Sequence, residues 1–209
     1  MGIVKSGLGC LSWIGAAVIV VLLILKVALF DVAEMGHNGM APTLLRGERV
    51  VINKRKEPDL NQIAVCRHPS EDGWVVGRVV AKEGQTIGSF RDALDIDGAR
   101  IPFDERGVTD FYNEDNDLKR SVTFGTEEIS GSRHTIFLSR SDPQHLVKKT
   151  TVKPGKLYLL GDYRGYMGQD SRAYGPVDAS SCRGTIAFRL TPMSGLPPEI
   201  AHGYFELVQ

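Results

Sequence analysis

The sequence predicts a mostly β fold carrying a small β insertion and preceded by one N-terminal transmembrane helix. Three observations lead there. A single apolar run fills residues 10–30, short β-rich runs cut by glycine, proline and aspartate turns follow it, and no long amphipathic helix stands out after residue 31.

The apolar run, "CLSWIGAAVIVVLLILKVALF", carries one charge, Lys26, and matches the ~20 residues needed to cross a bilayer. Trp13 sits near one end as an aromatic anchor, and Lys26 lies close enough to the other to snorkel. A cleaved signal peptide would have a shorter apolar region ending at a small-x-small site, which "VALF" before Asp31 does not supply. A retained anchor is therefore expected. Lys5 before the span and Asp31 and Glu34 after it favour a cytoplasmic N-terminus, against the pull of Arg46 and Arg49. "MGIVKS" fits a myristoylation pattern, but a spanning helix directly behind it makes a lipid redundant. The division expected is 1–9 cytoplasmic, 10–30 transmembrane, 31–190 a β domain with 88–155 inserted, and 191–209 a C-terminal extension.

The β runs come in order as "RVVINK", "WVVGRVVAK", "ALDIDG", "HTIFLS", "KLYLLGD" and "GTIAFRLT". "EPDLNQIAV" holds at most one helical turn, and "YNEDNDLKR" reads as an exposed loop. The 25 basic and 25 acidic residues balance, so the whole chain offers no net attraction to nucleic acid. Cys66 and Cys182 lie in apolar or strand-like surroundings with no C-x-x-C; buried thiols are the simpler reading, and a disulfide in an oxidising compartment is the alternative. The five histidines fall in no metal-ligand spacing and no phosphate-binding loop occurs, so neither a metal nor a cofactor is expected.

Three separated segments, in order and with matching spacing, carry a resemblance to type I signal peptidases. "GMAPTLLRGERVVINK" resembles their serine box, S-M-x-P-T-L followed by G-D-x-V and a strand. "VVGRVVAKEGQTI" resembles their lysine box, and "LGDYRGYMGQDSRAYGPV" their last box, with a glycine-containing final strand in "SCRGTIAFRL". The likeness implies a signal-peptidase-type β fold, and "GSRHTIFLS" is similar to the extra β domain of Gram-negative members.

That resemblance also implies a serine nucleophile and a neutral lysine base whose pKa is lowered by burial. Alignment on Met40, Pro42, Thr43 and Leu44 puts Gly39 at the serine, and alignment on Arg78, Val79, Val80 and Gly84 puts Gly77 at the lysine. His37 replaces the serine that helps form the family's oxyanion hole, leaving the Gly39 N–H. Ser171 matches the serine that hydrogen-bonds the catalytic lysine. Gly161, Asp162, Arg164, Asp170 and Arg172 match the structural last box, where an Asp–Arg contact holds the loop under the site. Met40, Pro42, Thr43, Arg78 and Ser171 are the expected peptide-binding framework. Two glycines in place of the dyad also predict a roomier cleft.

The reading is a non-catalytic relative that holds extended, signal-peptide-like or pilin-like segments by β-augmentation. It would act as a chaperone, assembly factor or regulator of exported preproteins in the cytoplasmic membrane, its β domain on the extracytoplasmic side and in contact with lipid. Two alternatives are an active peptidase with a non-standard dyad, using Asn38 or a partner-supplied residue and losing its cleavage when His37 or Lys82 is altered, and a non-catalytic subunit of an active signal peptidase.

Overall fold

A computed structural model describes residues 13, 15–20, 28–90, 93–113, 117–139 and 146–208. Most of the predicted span therefore lies outside the described residues. Trp13, Gly15–Val20 and Ala28–Leu29 are helical, and among the described residues no helix is long and apolar enough to cross a membrane.

The rest is built of antiparallel strands: β1 (Phe30–Glu34), β2 (Arg49–Asn53), β3 (Ile63–Arg67), β4 (Trp74–Lys82), β5 (Thr86–Phe90), β6 (Ala93–Ile96), β7 (Ala99–Arg100), β8 (Phe103–Asn113), β9 (Leu118–Ile129), β10 (Ser132–Leu138), β11 (Thr150–Thr151), β12 (Lys156–Leu160), β13 (Val177–Asp178), β14 (Cys182–Thr191) and β15 (Glu206–Leu207). The largest sheet runs β1–β2–β14–β3–β4–β12–β13, with β15 added on β14. β4 and β12 are neighbours in it, and between them in the chain lie a four-stranded sheet, β11–β5–β6–β7, and a three-stranded one, β10–β9–β8.

Residue pattern explains where each strand sits. β4 reads as a near-continuous apolar run because it is covered on both faces: Val80 and Ala81 join Ile87, Leu94, Ile96 and Ile129 in one core cluster, while Val75 and Val79 join Leu157, Leu159 and Val177 in another. β1 alternates instead, as an edge strand with one face in solvent does. On that outer face Val32, Val51, Phe188 and Leu207 are direct register partners across four strands, with Val32 52%, Phe188 38% and Leu207 62% exposed. Gly184, with φ +146°, allows β14 to close on the end of β2: a Cβ there would stand 2.2 Å from the Asn53 carbonyl oxygen.

Cys66 and Cys182 are register partners on β3 and β14, with Cα atoms 3.7 Å apart, and they form a disulfide. Buried free thiols, the simpler expectation, give way because the β14–β3 pairing brings the two side chains together from 116 residues apart in sequence. Closing so long a loop restricts the unfolded chain, so replacing both cysteines by serine is expected to cost about 2–4 kcal/mol. Denaturant unfolding of the double variant beside the parent checks this, and an unchanged midpoint would refute it.

Candidate functional site

The loop from Met35 to Glu48 connects β1 to β2. Met35 and Glu48 close its base, the Met35 N–H donating to the Glu48 carbonyl at 2.9 Å. Met40 is fully buried with Leu44, Val50, Ile52, Ile63 and Val65, so the apolar residue after Gly39 anchors the loop in the core. The Ala41–Pro42 peptide is cis. The Ala41 N–H returns to the Asn38 carbonyl at 3.0 Å, making a tight turn about Gly39. Asn38 braces that turn from beneath, accepting from the Arg46 N–H at 2.8 Å and donating to Asn113 at 3.1 Å.

Gly39 is buried. Its N–H donates to His37 Nδ1 at 3.0 Å, and the His37 ring stacks on Tyr166 with centroids 5.5 Å apart. Its carbonyl accepts from the Tyr163 N–H at 3.1 Å. Gly161 passes so close to that carbonyl that a Cβ there would lie 2.4 Å from the oxygen, which is why no side chain fits at 161.

Gly77 sits in mid-β4, opposite Ala64 of β3. A Cβ on Gly77 would come within 2.9 Å of Leu159 Cβ and 3.4 Å of the Leu160 carbonyl oxygen. A Cβ on Gly39 would meet His37 Nδ1 at 2.8 Å and Tyr166 Cδ1 at 3.1 Å. The expected roomier cleft is therefore corrected: Leu159 fills the space beside Gly77, and the His37–Tyr166 pair fills it beside Gly39. Ser171 Oγ accepts from the Leu159 N–H at 2.9 Å, so it fixes the strand that blocks Gly77. Lys82, at the end of β4, pairs with Asp59 at 2.9 Å.

Beneath the loop lies a buried ionic frame. Arg78 reaches Asp162 with two nitrogens, Nε to Oδ1 at 2.9 Å and Nη2 to Oδ2 at 2.6 Å, and donates to the Asn61 carbonyl at 2.6 Å. The Thr43 hydroxyl donates to Asp162 Oδ2, tying the turn after Pro42 to this pair. Burial opposes ionisation of Asp162, but the Arg78 charge and hydrogen bonds outweigh it and hold the carboxyl below its ordinary 3.8. Arg164 pairs with Glu127 through both terminal nitrogens, at 3.2 and 2.6 Å, and donates to the Gly161 carbonyl at 3.0 Å. Arg172 pairs with Asp170 at 2.7 Å and also donates to the Tyr166 carbonyl at 3.0 Å, while Asp170 accepts from the Gly161 N–H at 3.1 Å. The single Asp–Arg contact expected under the loop is thus two, Asp162–Arg78 and Asp170–Arg172, with Arg164 turned to a glutamate.

Glu127, His134, Glu48 and Arg189 are members of this frame that the sequence reading did not single out. Arg189 Nε donates to Glu48 Oε2 at 2.9 Å and its Nη2 to the Thr43 carbonyl. His202 Nε2 bonds the Pro42 carbonyl at 2.7 Å, so residues 191–208 close over the same turn. His134 lies 3.6 Å from Glu127, and burial followed by the Arg78 charge holds its pKa below 6.5. A signal for Glu127 did exist: it falls on the inward parity of β9 with Thr123 and Ile129, where a carboxylate needs a cation.

Among the described residues, the upper half of β4, Trp74–Val76, pairs only with β3, because β12 ends at the Leu160–Arg78 pairing. β1 is the sheet's terminal strand. Ala33, Met35 and Val76 belong to one apolar cluster, so both open edges border a shared apolar floor.

The family described as "Signal peptidase, peptidase S26" matches residues 9–191. Signal peptidase I of Streptococcus pneumoniae serotype 4 is 29% identical over 173 residues, 78% of this chain and 83% of that protein. Signal peptidase IB of Staphylococcus aureus is 28% identical over 190 residues, 88% of this chain and 91% of that protein. A crystal structure of a signal peptidase I from Enterococcus faecalis V583 covers 62% of this chain and 97% of that one at 20% identity and a TM-score of 0.40. With one family matched from residue 9 to residue 191, the tight turn before β2, β4 and the last-box frame at its heart, this chain belongs to the signal peptidase family, peptidase S26.

Proposed function

We propose that this member of the family binds exported or signal-peptide-like segments without cutting them, as a chaperone, assembly factor or regulator. The observation that carries the reading is the state of the two dyad positions. Gly39 and Gly77 have no side chain to attack a carbonyl or take a proton, and the Gly39 N–H, the donor left for an oxyanion, is engaged by His37 Nδ1. β-augmentation needs neither group. An extended segment would lie between the open edges of β1 and the upper half of β4, its small side chains on the floor of Ala33, Met35 and Val76. An anchored chain with residues 31–190 on the extracytoplasmic side fits the Cys66–Cys182 disulfide, since such bonds persist in oxidising compartments.

The test is incubation of detergent-purified full-length protein with a preprotein bearing an Ala-x-Ala site, read by mass spectrometry, alongside titration of a labelled signal-peptide segment. Intact preprotein with saturable binding is expected. A specific cleavage product would sink the non-catalytic reading, and absence of saturable binding would sink the peptide-holding one.

A further inference from the structure

We infer that the turn Lys54–Arg55–Lys56 is a binding site for the phosphate headgroups of anionic phospholipids in the leaflet from which the chain emerges. The inference rests on the anchored placement proposed above and adds a lipid class to it.

Three consecutive cations occupy an exposed turn at the end of β2. The turn is tied to the residues that lead into β1: the Lys54 N–H donates to the carbonyl of Leu29, which directly precedes that strand, at 2.9 Å. The turn therefore stands at the junction between the predicted span and the β domain, within the short distance over which headgroup charge acts.

The turn also lines a cavity of about 770 Å³, together with Lys82, Lys156 and Gly184. Two other lining cations are held in ion pairs, and one lining carboxylate accepts from a backbone amide. Lys82 pairs with Asp59 at 2.9 Å, Lys156 with Asp178 at 2.7 Å, and Glu83 accepts from the Gly155 N–H at 2.6 Å. Against Lys54, Arg55 and Lys56 stand Glu57 and Glu83 among the lining carboxylates, so the mouth keeps an excess of one positive charge. At Gly184 a Cβ would come within 3.0 Å of Lys54 Cα, and its absence leaves the wall against the turn bare.

Neighbouring surface suits a membrane more than a soluble anion. The exposed row Val32–Val51–Phe188–Leu207 crosses the same sheet. Trp74, 44% exposed, has the guanidinium carbons of Arg67 and Arg183 at 4.8 and 5.5 Å from its ring, and Arg183 pairs with Asp31 just after the helix. An amphipathic aromatic flanked by arginines belongs at a headgroup boundary. Glu71 and Asp72, at the tip of the β3–β4 hairpin, are the opposing carboxylates on this side and keep the attraction local to the Lys54–Lys56 turn.

The experiment places full-length protein in nanodiscs of phosphatidylcholine alone or with phosphatidylglycerol, and follows amide hydrogen exchange of the peptide containing residues 54–57. With phosphatidylglycerol, exchange is expected to slow on the order of tenfold. The difference should vanish in Lys54→Gln, Arg55→Gln, Lys56→Gln, whose substitutions lie on an exposed turn. Equal exchange in both lipids overturns the inference. Equal protection by glycerol phosphate added to protein in detergent also overturns it, in favour of a soluble phosphate ligand. A chain that fails to enter nanodiscs overturns the anchored placement itself, whereas incorporation without lipid preference overturns only the headgroup site.

Discussion

Asp162→Ala is expected to cost about 3–5 kcal/mol of stability, because it leaves the fully buried Arg78 guanidinium without its carboxylate. The loss should propagate to the Thr43 turn, whose hydroxyl donates to the same carboxylate. Denaturant unfolding near neutral pH measures the cost, and a shift below about 1 kcal/mol would show that the buried pair is replaced by water or rearrangement.

The same carboxylate predicts the acid behaviour. Burial raises the Asp162 pKa, but Arg78 and the hydrogen bonds lower it further, so the folded value lies below the ordinary 3.8. For Glu127 burial is likewise the largest single influence, and Arg164 and His134 together bring the net value below 4.5. A folded pKa below the unfolded one means that the fold binds the ionised form more strongly. The contribution is therefore complete above the ordinary carboxylate values and declines as pH falls through the folded ones. Unfolding free energy should be flat in these groups near neutrality and fall below about pH 4. Asp162→Asn should flatten part of that acid limb, and an unaltered limb would assign it to other carboxylates.

Restoring the two dyad side chains, Gly39→Ser with Gly77→Lys, is expected to give a destabilised protein that still does not cleave a preprotein. The two sites respond differently. At Gly39 the obstacles are the ends of two side chains, His37 and the Tyr166 ring stacked on it, which can shift away at the cost of about 1 kcal/mol for the His37 hydrogen bond to the Gly39 N–H. At Gly77 it is Leu159 Cβ at 2.9 Å, held by the β4–β12 ladder and the Ser171 bond to the Leu159 N–H, so the backbone itself must move. Overpacking of this kind costs about 1–3 kcal/mol before the burial of an amine is counted. Thermal melting should therefore rank Gly39→Ser near the parent, and both the Gly77→Lys single variant and the double variant well below it, with no product by mass spectrometry. Cleavage by the double variant at parental stability would show that Leu159 yields and the groove lacks only its chemistry.

Much of the site is legible in the sequence. The turn residues around Pro42 and the last-box arginines each carry a local signature that survives folding, because turn chemistry acts over a few residues, whereas the burial of Met40 in the core emerges only from the packing of the strands around it. Glu48 and Arg189 were not legible: they lie 141 residues apart in sequence, and a lone glutamate before a strand looks like any solvated charge until β14 pairs with β2. The disulfide was open for the same reason.

From residue order alone follow the mostly β character, the family resemblance and the empty chemistry of positions 39 and 77, since a glycine has no functional group in any environment. What those empty positions mean depended on long-range packing. Whether Gly77 opens a pocket or faces a wall is set by the register of β12 against β4, and whether the Gly39 N–H stays available is set by the turn that folds His37 back upon it. Side-chain identity is local, but occupied space is decided by partners distant in the chain, and here Leu159, His37 and Tyr166 occupy it.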